Sequence, residues 1–124
     1  MLFNLFKPKN TRQVGNLTVT ELAPNFTATG QISVADVADI KAAGYDTVMC
    51  NRPDGESPDQ PSSAQIKRAV EKAGMAFFHV PMGRTMAPNT LSDFKAVTDG
   101  DNGKVFGYCR SGNRTSVLWK STRS

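Results

Sequence analysis

The sequence predicts a single α/β domain with a mainly parallel sheet flanked by helices. Three observations carry this. A short strand-like run followed by helical periodicity recurs three times along the chain. The runs Thr47-Val48-Met49-Cys50 and Ala76-Phe77-Phe78-His79-Val80 lack the apolar–polar alternation of a half-exposed strand. Such runs belong to strands covered on both faces, as in parallel sheets. Finally, each run ends at a segment rich in turn residues, and right-handed crossovers bring those segments to one edge of the sheet. Ligands of open α/β sheets bind along that edge. A chain of 124 residues holds one hydrophobic core.

Residues 1–15 read as a disordered leader and residues 16–124 as the domain. The leader's apolar patch, Met1 to Phe6, is broken by Asn4 and is too short for a membrane span or a signal peptide. Leu17–Thr20 and Asn25–Ala28 are Thr- and aromatic-rich and suggest strands, the second ended by Gly30. Ser33 and Asp36 form a partial capping box opening a helix with the stripe Val34, Val37 and Ile40, which Gly44 closes. After the strand Thr47–Cys50, the loop Asn51–Pro61 contains Pro53, Pro58, Pro61 and Gly55. Ser62 and Gln65 then cap a helix over Ala64–Ala73, ended by Gly74. The strand Ala76–Val80 stops at Pro81, and the loop Met82–Asn89 leads to a short helix near Thr90 with Leu91, Phe94 and Val97 facing inward. The turn Asp99–Gly103 precedes the strand Lys104–Tyr108, and a last helix begins near Thr115, with Trp119 packing it on the sheet.

The composition narrows the function. Fifteen basic and eleven acidic residues give a net charge of +4, scattered rather than striped. This argues against nucleic-acid binding and for a small anionic substrate. Two cysteines are too few for a disulfide scaffold and point to a reducing, cytoplasmic setting. His79 is the only histidine, so no ligand spacing supports a metal, and no cofactor motif is present.

The chemistry concentrates in Cys109-Arg110-Ser111-Gly112-Asn113-Arg114. This strand-to-helix loop of small residues is suited to turning successive backbone N–H groups into one concavity at a helix N-terminus. Arg110, Ser111, Gly112 and Asn113 are expected to bind an oxyanion, Arg110 through its backbone N–H, and Arg114 to grip it with its guanidinium. A thiol in that field titrates below its ordinary value, making Cys109 a preformed nucleophile. Asp54, Glu56 and Asp59 lie on a loop at the same predicted edge. Asp54 is taken as the general acid, although ordinary turn chemistry accounts equally well for all three. Arg52 either holds the anion or anchors that loop. Ser111 and Thr115 either bond the thiolate or support the helix, Thr115 being read as a cap. Cys50 reads as a core cysteine rather than a resolving thiol, and His79 as structural rather than a partner of Cys109.

The loop Cys109–Thr115 resembles the active-site loops of rhodanese sulfurtransferases and of cysteine-dependent phosphatases. Gln31, the run Asn51–Pro61, Phe78-His79-Val80-Pro81, Tyr108-Cys109-Arg110-Ser111-Gly112 and Leu118-Trp119 together resemble a more specific family, the beta-lactamase-hydrolase-like protein, phosphatase-like domain. The resemblance runs from Leu17 to Trp119. It implies a dual-specificity-phosphatase-like fold, found alone or fused to sulfur dioxygenases and other redox modules. It also implies either phosphatase or sulfurtransferase activity. Tyrosine-phosphatase loops place five residues between Cys and Arg with His before the Cys, whereas here there are four and Tyr108. That comparison favours a sulfurtransferase forming a Cys109 persulfide from thiosulfate or a related donor, with an acceptor thiol or sulfur-metabolism enzyme as partner. The alternatives are a phosphomonoester hydrolase using Cys109 and Arg114, and an inactive anion- or partner-binding domain. Only ten residues follow Arg114, fewer than family members usually carry, which implies a C-terminally truncated domain.

Overall fold

The structure is a computed structural model that describes residues 10–123. Six strands, β1 (Thr11–Val14), β2 (Leu17–Ala23), β3 (Phe26–Thr29), β4 (Thr47–Cys50), β5 (Ala76–His79) and β6 (Val105–Tyr108), form one sheet in the order β1-β2-β3-β6-β4-β5. The pairs β3–β6, β6–β4 and β4–β5 are parallel, while β1–β2 and β2–β3 are antiparallel. The helices are α1 (Val37–Ala42), α2 (Ser63–Lys72), α3 (Thr90–Asp99) and α4 (Asn113–Ser121).

The helices divide between the two faces of the sheet and build a core on each. Val48 and Cys50 of β4 and Phe106 and Tyr108 of β6 pack with Ile40 of α1 and Ile66 and Val70 of α2. Met49 and Val105, next to them in sequence but on the opposite face, pack with Phe26, Phe94 and Val97 of α3 and Leu118 of α4. Double coverage is the reason β4 and β6 are buried at every position. Trp119 stacks on Phe26 with ring centroids 4.6 Å apart, fixing α4 against β3.

Two differences from the sequence reading have clear causes. Residues 11–14, within the stretch read as leader, form edge strand β1, paired with β2 from Thr11↔Thr20 to Val14↔Leu17. The turn Gly15-Asn16 and the burial of Val14 explain this hairpin; the apolar patch Met1–Phe6 lies outside the described residues. The helix after Ser33 begins as a 3-10 turn, Val34–Asp36, and only Val37 and Ile40 of the expected stripe are buried. Val34 is 51% exposed. Both capping boxes form, Ser33 with Asp36 and Ser62 with Gln65.

The parallel strands carry four loops to one sheet edge: 30–33 after β3, 51–62 after β4, 80–89 after β5 and 109–112 after β6. Gly107 makes the last of these fit. A Cβ there would lie 2.8 Å from the Thr115 methyl and 3.1 Å from the Phe26 ring. Gly107→Ala is therefore expected to lower stability by about 1–3 kcal/mol through overpacking, read as a reduced urea midpoint with an unchanged slope.

Candidate active site

The loop after β6 closes on itself around Cys109. The Cys109 N–H donates to the Thr29 carbonyl at 3.3 Å, and the Gln31 N–H donates to the Arg110 carbonyl at 3.1 Å, stitching the loop to the end of β3. Gly112 has φ of +92° and its would-be Cβ lies 3.2 Å from the Thr29 carbonyl carbon, so a side chain is excluded by both conformation and space. Its N–H turns inward and donates to Cys109 Sγ at 3.1 Å. Gly112 also occupies the N-cap of α4 without a side chain to take up the helix's first amides. Of those amides the Thr115 N–H faces the thiol.

Cys109 is fully buried at the floor of this cradle. Burial pushes its thiol up, but the N–H groups of Thr115, Ser111 and Gly112 pull it down further, and the net pKa lies below the ordinary value. Thr115 thus does more than cap. It sits in the first turn of α4, turns its N–H to the thiol, and donates its one hydroxyl proton to Asn51 Oδ1 at 2.9 Å. Asn51, to which the sequence assigns no role beyond opening the Asn51–Pro61 loop, is the buried hub of this edge. Its N–H reaches the Tyr108 carbonyl, its side-chain amide reaches the Val80 carbonyl, and its own carbonyl accepts from the Met82 N–H. A polar residue directly after an apolar strand at the predicted ligand edge was the available signal.

Arg114 projects across the mouth. Its Nη1 donates to Glu56 Oε2 and to the Met82 carbonyl, both at 2.8 Å, and its Nη2 donates to Glu56 Oε1 at 2.8 Å. Three of the five guanidinium donors are thereby used, leaving Nε–H and the second Nη2–H, a fork suited to two oxyanion oxygens. The Glu56 bonds raise the Arg114 pKa, with a contribution from Cys109, so the fork stays charged and beside the thiol.

The remaining expected site residues divide. The Ser111 hydroxyl accepts from the Asn113 N–H, so Ser111 serves the cradle through its own amide. The Arg110 side chain is exposed, and its carbonyl is held by Gln31. Of the two roles open to Arg52, its contacts are those of the anchor. It is buried, and its guanidinium donates to Glu56 at 2.9 Å, Gln31 at 3.0 Å and the Ser57 hydroxyl at 3.3 Å. Asp54, expected as the general acid, is corrected: its carboxylate accepts from the Ser63 N–H and hydroxyl, each at 2.7 Å, capping α2. Those bonds hold it ionised, with its pKa lowered, the opposite of what a proton donor needs. Glu56 is the carboxylate that reaches the cradle, and the Arg114 and Arg52 hydrogen bonds hold its pKa at about 2 against the loss of hydration.

The two other candidate groups are structural. Cys50 is buried in the core, where desolvation raises its thiol, and the His79 ring lies 2.9 Å from the Arg52 carbonyl. Among the described residues no group of three His, Cys, Asp or Glu side chains is placed to hold a metal, and no helix is long and apolar enough to cross a membrane.

A doubly covered sheet with a buried cysteine under a helix N-terminus and an arginine fork beside it defines a domain of the dual-specificity-phosphatase-like fold. The chain belongs to the beta-lactamase hydrolase-like protein, phosphatase-like domain family, whose pattern matches residues 18–124. It is 34% identical over 94 residues to a beta-lactamase hydrolase-like protein of Agrobacterium fabrum, a match covering 75% of this chain. That match covers 22% of the relative, so the chain spans under a quarter of its length. Among solved structures it is similar to a candidate phosphatase of Neisseria meningitidis, at a TM-score of 0.73 and 36% identity, over 80% of this chain and 71% of that one. The fold is also that of P. aeruginosa TpbA in complex with pTyr, at a TM-score of 0.62 and 18% identity, over 90% of this chain and 66% of that one.

Thr115→Val should leave Asn51 Oδ1 unpaired, costing about 1–3 kcal/mol of stability. The loss is read as a reduced urea midpoint with an unchanged slope. Glu56 has a depressed folded pKa, so its stabilisation is full above the ordinary carboxyl value of 4.5 and is lost as pH falls toward about 2. Glu56→Gln should therefore unfold more easily than the wild type at neutral pH, the difference in urea midpoint shrinking near pH 2.

Proposed function

We propose that this domain is a cysteine-dependent phosphatase acting on a small anionic substrate. The single observation that carries the reading is the joint placement of Cys109 Sγ, the inward Gly112 N–H at 3.1 Å and the charged Arg114 fork at one mouth. The loop amides and Arg114 bind the phosphoryl oxygens. The Cys109 thiolate attacks phosphorus, an S–P bond forms and the P–O bond to the leaving group breaks, its electron pair staying on that oxygen. Water then attacks the phosphocysteine, the S–P bond breaks, the thiolate is restored and the proton of water passes to solvent. Membership of a phosphatase-like family and the likeness to the Neisseria protein support this reading.

Sulfur transfer is the second reading, favoured by the four residues between Cys109 and Arg114 where tyrosine phosphatases have five. There the thiolate attacks the outer sulfur of thiosulfate, the S–S bond breaks, and sulfite leaves with the electron pair. The Cys109 persulfide then yields its sulfur to an acceptor thiol, free or on a sulfur-metabolism enzyme.

Purified protein should release 4-nitrophenol from 4-nitrophenyl phosphate. Cys109→Ser should abolish release, and Arg114→Lys should lower kcat/KM by about 10²-fold, the scale of one lost oxyanion contact. A Cys109-dependent mass gain of one sulfur on exposure to thiosulfate, without phosphatase activity, would replace the first reading by the second.

A further inference from the structure

We propose that this site turns over only phosphoryl substrates whose leaving group departs as a stable anion, such as aryl phosphates and phosphoanhydrides, and not phosphate esters of aliphatic alcohols. The inference rests on the phosphatase reading and names its substrate class. An alkoxide is too basic to leave without a proton, so an enzyme for alkyl phosphates places an acid in the wall of the site. A phenoxide with electron-withdrawing groups, or a phosphate, leaves without one.

Among the described residues, no carboxyl or imidazole in the walls of this site is held where it could give a proton to the leaving group. The chain has eleven Asp and Glu residues, and residues 1–9, outside the described part, contain none of them. The loop 80–89, which touches Arg114 through the Met82 carbonyl, contains no Asp, Glu or His. On the β3 side, Asp36 is taken up by the N–H and hydroxyl of Ser33, at 2.8 and 3.1 Å. On the β4 side, Asp54 caps α2 through Ser63. Glu56 alone meets the cradle, and both its oxygens are held by guanidinium groups, Oε1 by Arg52 and Arg114 and Oε2 by Arg114. A carboxyl in that clamp is ionised and has no proton to give. His79, the one histidine, is tied to the Arg52 carbonyl. Of the acids on that loop Asp59 remains, exposed, and no hydrogen bond or ion pair among the described residues holds its carboxyl at the cradle; an acid that is not positioned supplies no proton to the leaving group. The Cys109 attack therefore expels the leaving oxygen with its electron pair and no proton, and solvent protonates it afterwards.

The test is kcat/KM, which reports P–O cleavage, across 2,4-dinitrophenyl, 4-nitrophenyl, phenyl and glycerol phosphates, with inorganic pyrophosphate added. A steep fall with leaving-group basicity is expected. Glycerol phosphate should lie at least about 10²–10⁴ below 4-nitrophenyl phosphate, the contribution a positioned acid would otherwise make. The pH profile should rise with Cys109 ionisation and show no alkaline limb from a general acid, and Asp59→Asn should match the wild type on every substrate. Comparable turnover of glycerol phosphate, an alkaline limb, or loss of the poorer substrates in Asp59→Asn would overturn the inference while leaving the phosphatase reading in place. No Cys109-dependent release even from the dinitrophenyl ester would overturn the phosphatase reading itself, and the inference with it.

Discussion

How closely α4 seats on the ends of β3 and β6 decides the rest of the site. The helix begins four residues after Cys109, and its first turn lies against the strand it follows, with the Thr115 methyl where a Gly107 side chain would stand. At that separation the N–H groups of Gly112 and Thr115 reach one sulfur. A helix end one ångström further out would leave the same groups to water, where they stabilise a thiolate far less. Phe26, under Trp119 on one side and near the Gly107 position on the other, transmits the packing of the α3–α4 core to the catalytic loop.

Around that seat lies a closed accounting of charge. Arg52 is buried, and a buried guanidinium is stable only with partners for its donors. Glu56, Gln31 and Ser57 supply them. Glu56 serves two arginines at once, so the residue that neutralises Arg52 also aims Arg114. The arrangement holds the fork in place before any substrate arrives, which lowers the entropic cost of binding an oxyanion. The same clamp denies Glu56 its proton. Positioning and acid catalysis compete for one carboxylate here, and positioning wins.

Phosphoryl and sulfuryl chemistry draw on the same parts: a thiolate, a ring of amides and a fixed cation. Neither sulfite nor an aryloxide needs a proton to leave. A cradle without a proton donor is therefore compatible with either reaction, and the two readings of this domain share one physical basis.

Much of this was legible in the chain. The apolar runs at β4, β5 and β6, the Ser62–Gln65 box and the glycine stops follow from local periodicity and backbone chemistry, which act over a few residues. So does the Cys109–Arg114 loop, because a helix N-terminus after a buried strand presents its amides whatever surrounds it. Strand β1 was missed because its pairing depends on the Leu17–Thr20 partner more than on its own mixed sequence, Thr-Arg-Gln-Val. The roles of Asp54, Arg52, Glu56, Thr115 and Asn51 were decided by tertiary structure alone. Asp54 and Glu56 stand two residues apart on one turn-rich loop, yet one faces Ser63 and the other faces Arg114, 58 positions away in the chain. Sequence determined that carboxylates would reach this edge of the sheet. Which of them met a cation and which capped a helix depended on side-chain directions set by long-range packing, and a proton's affinity for a carboxylate follows from its nearest partners, not from its neighbours in sequence.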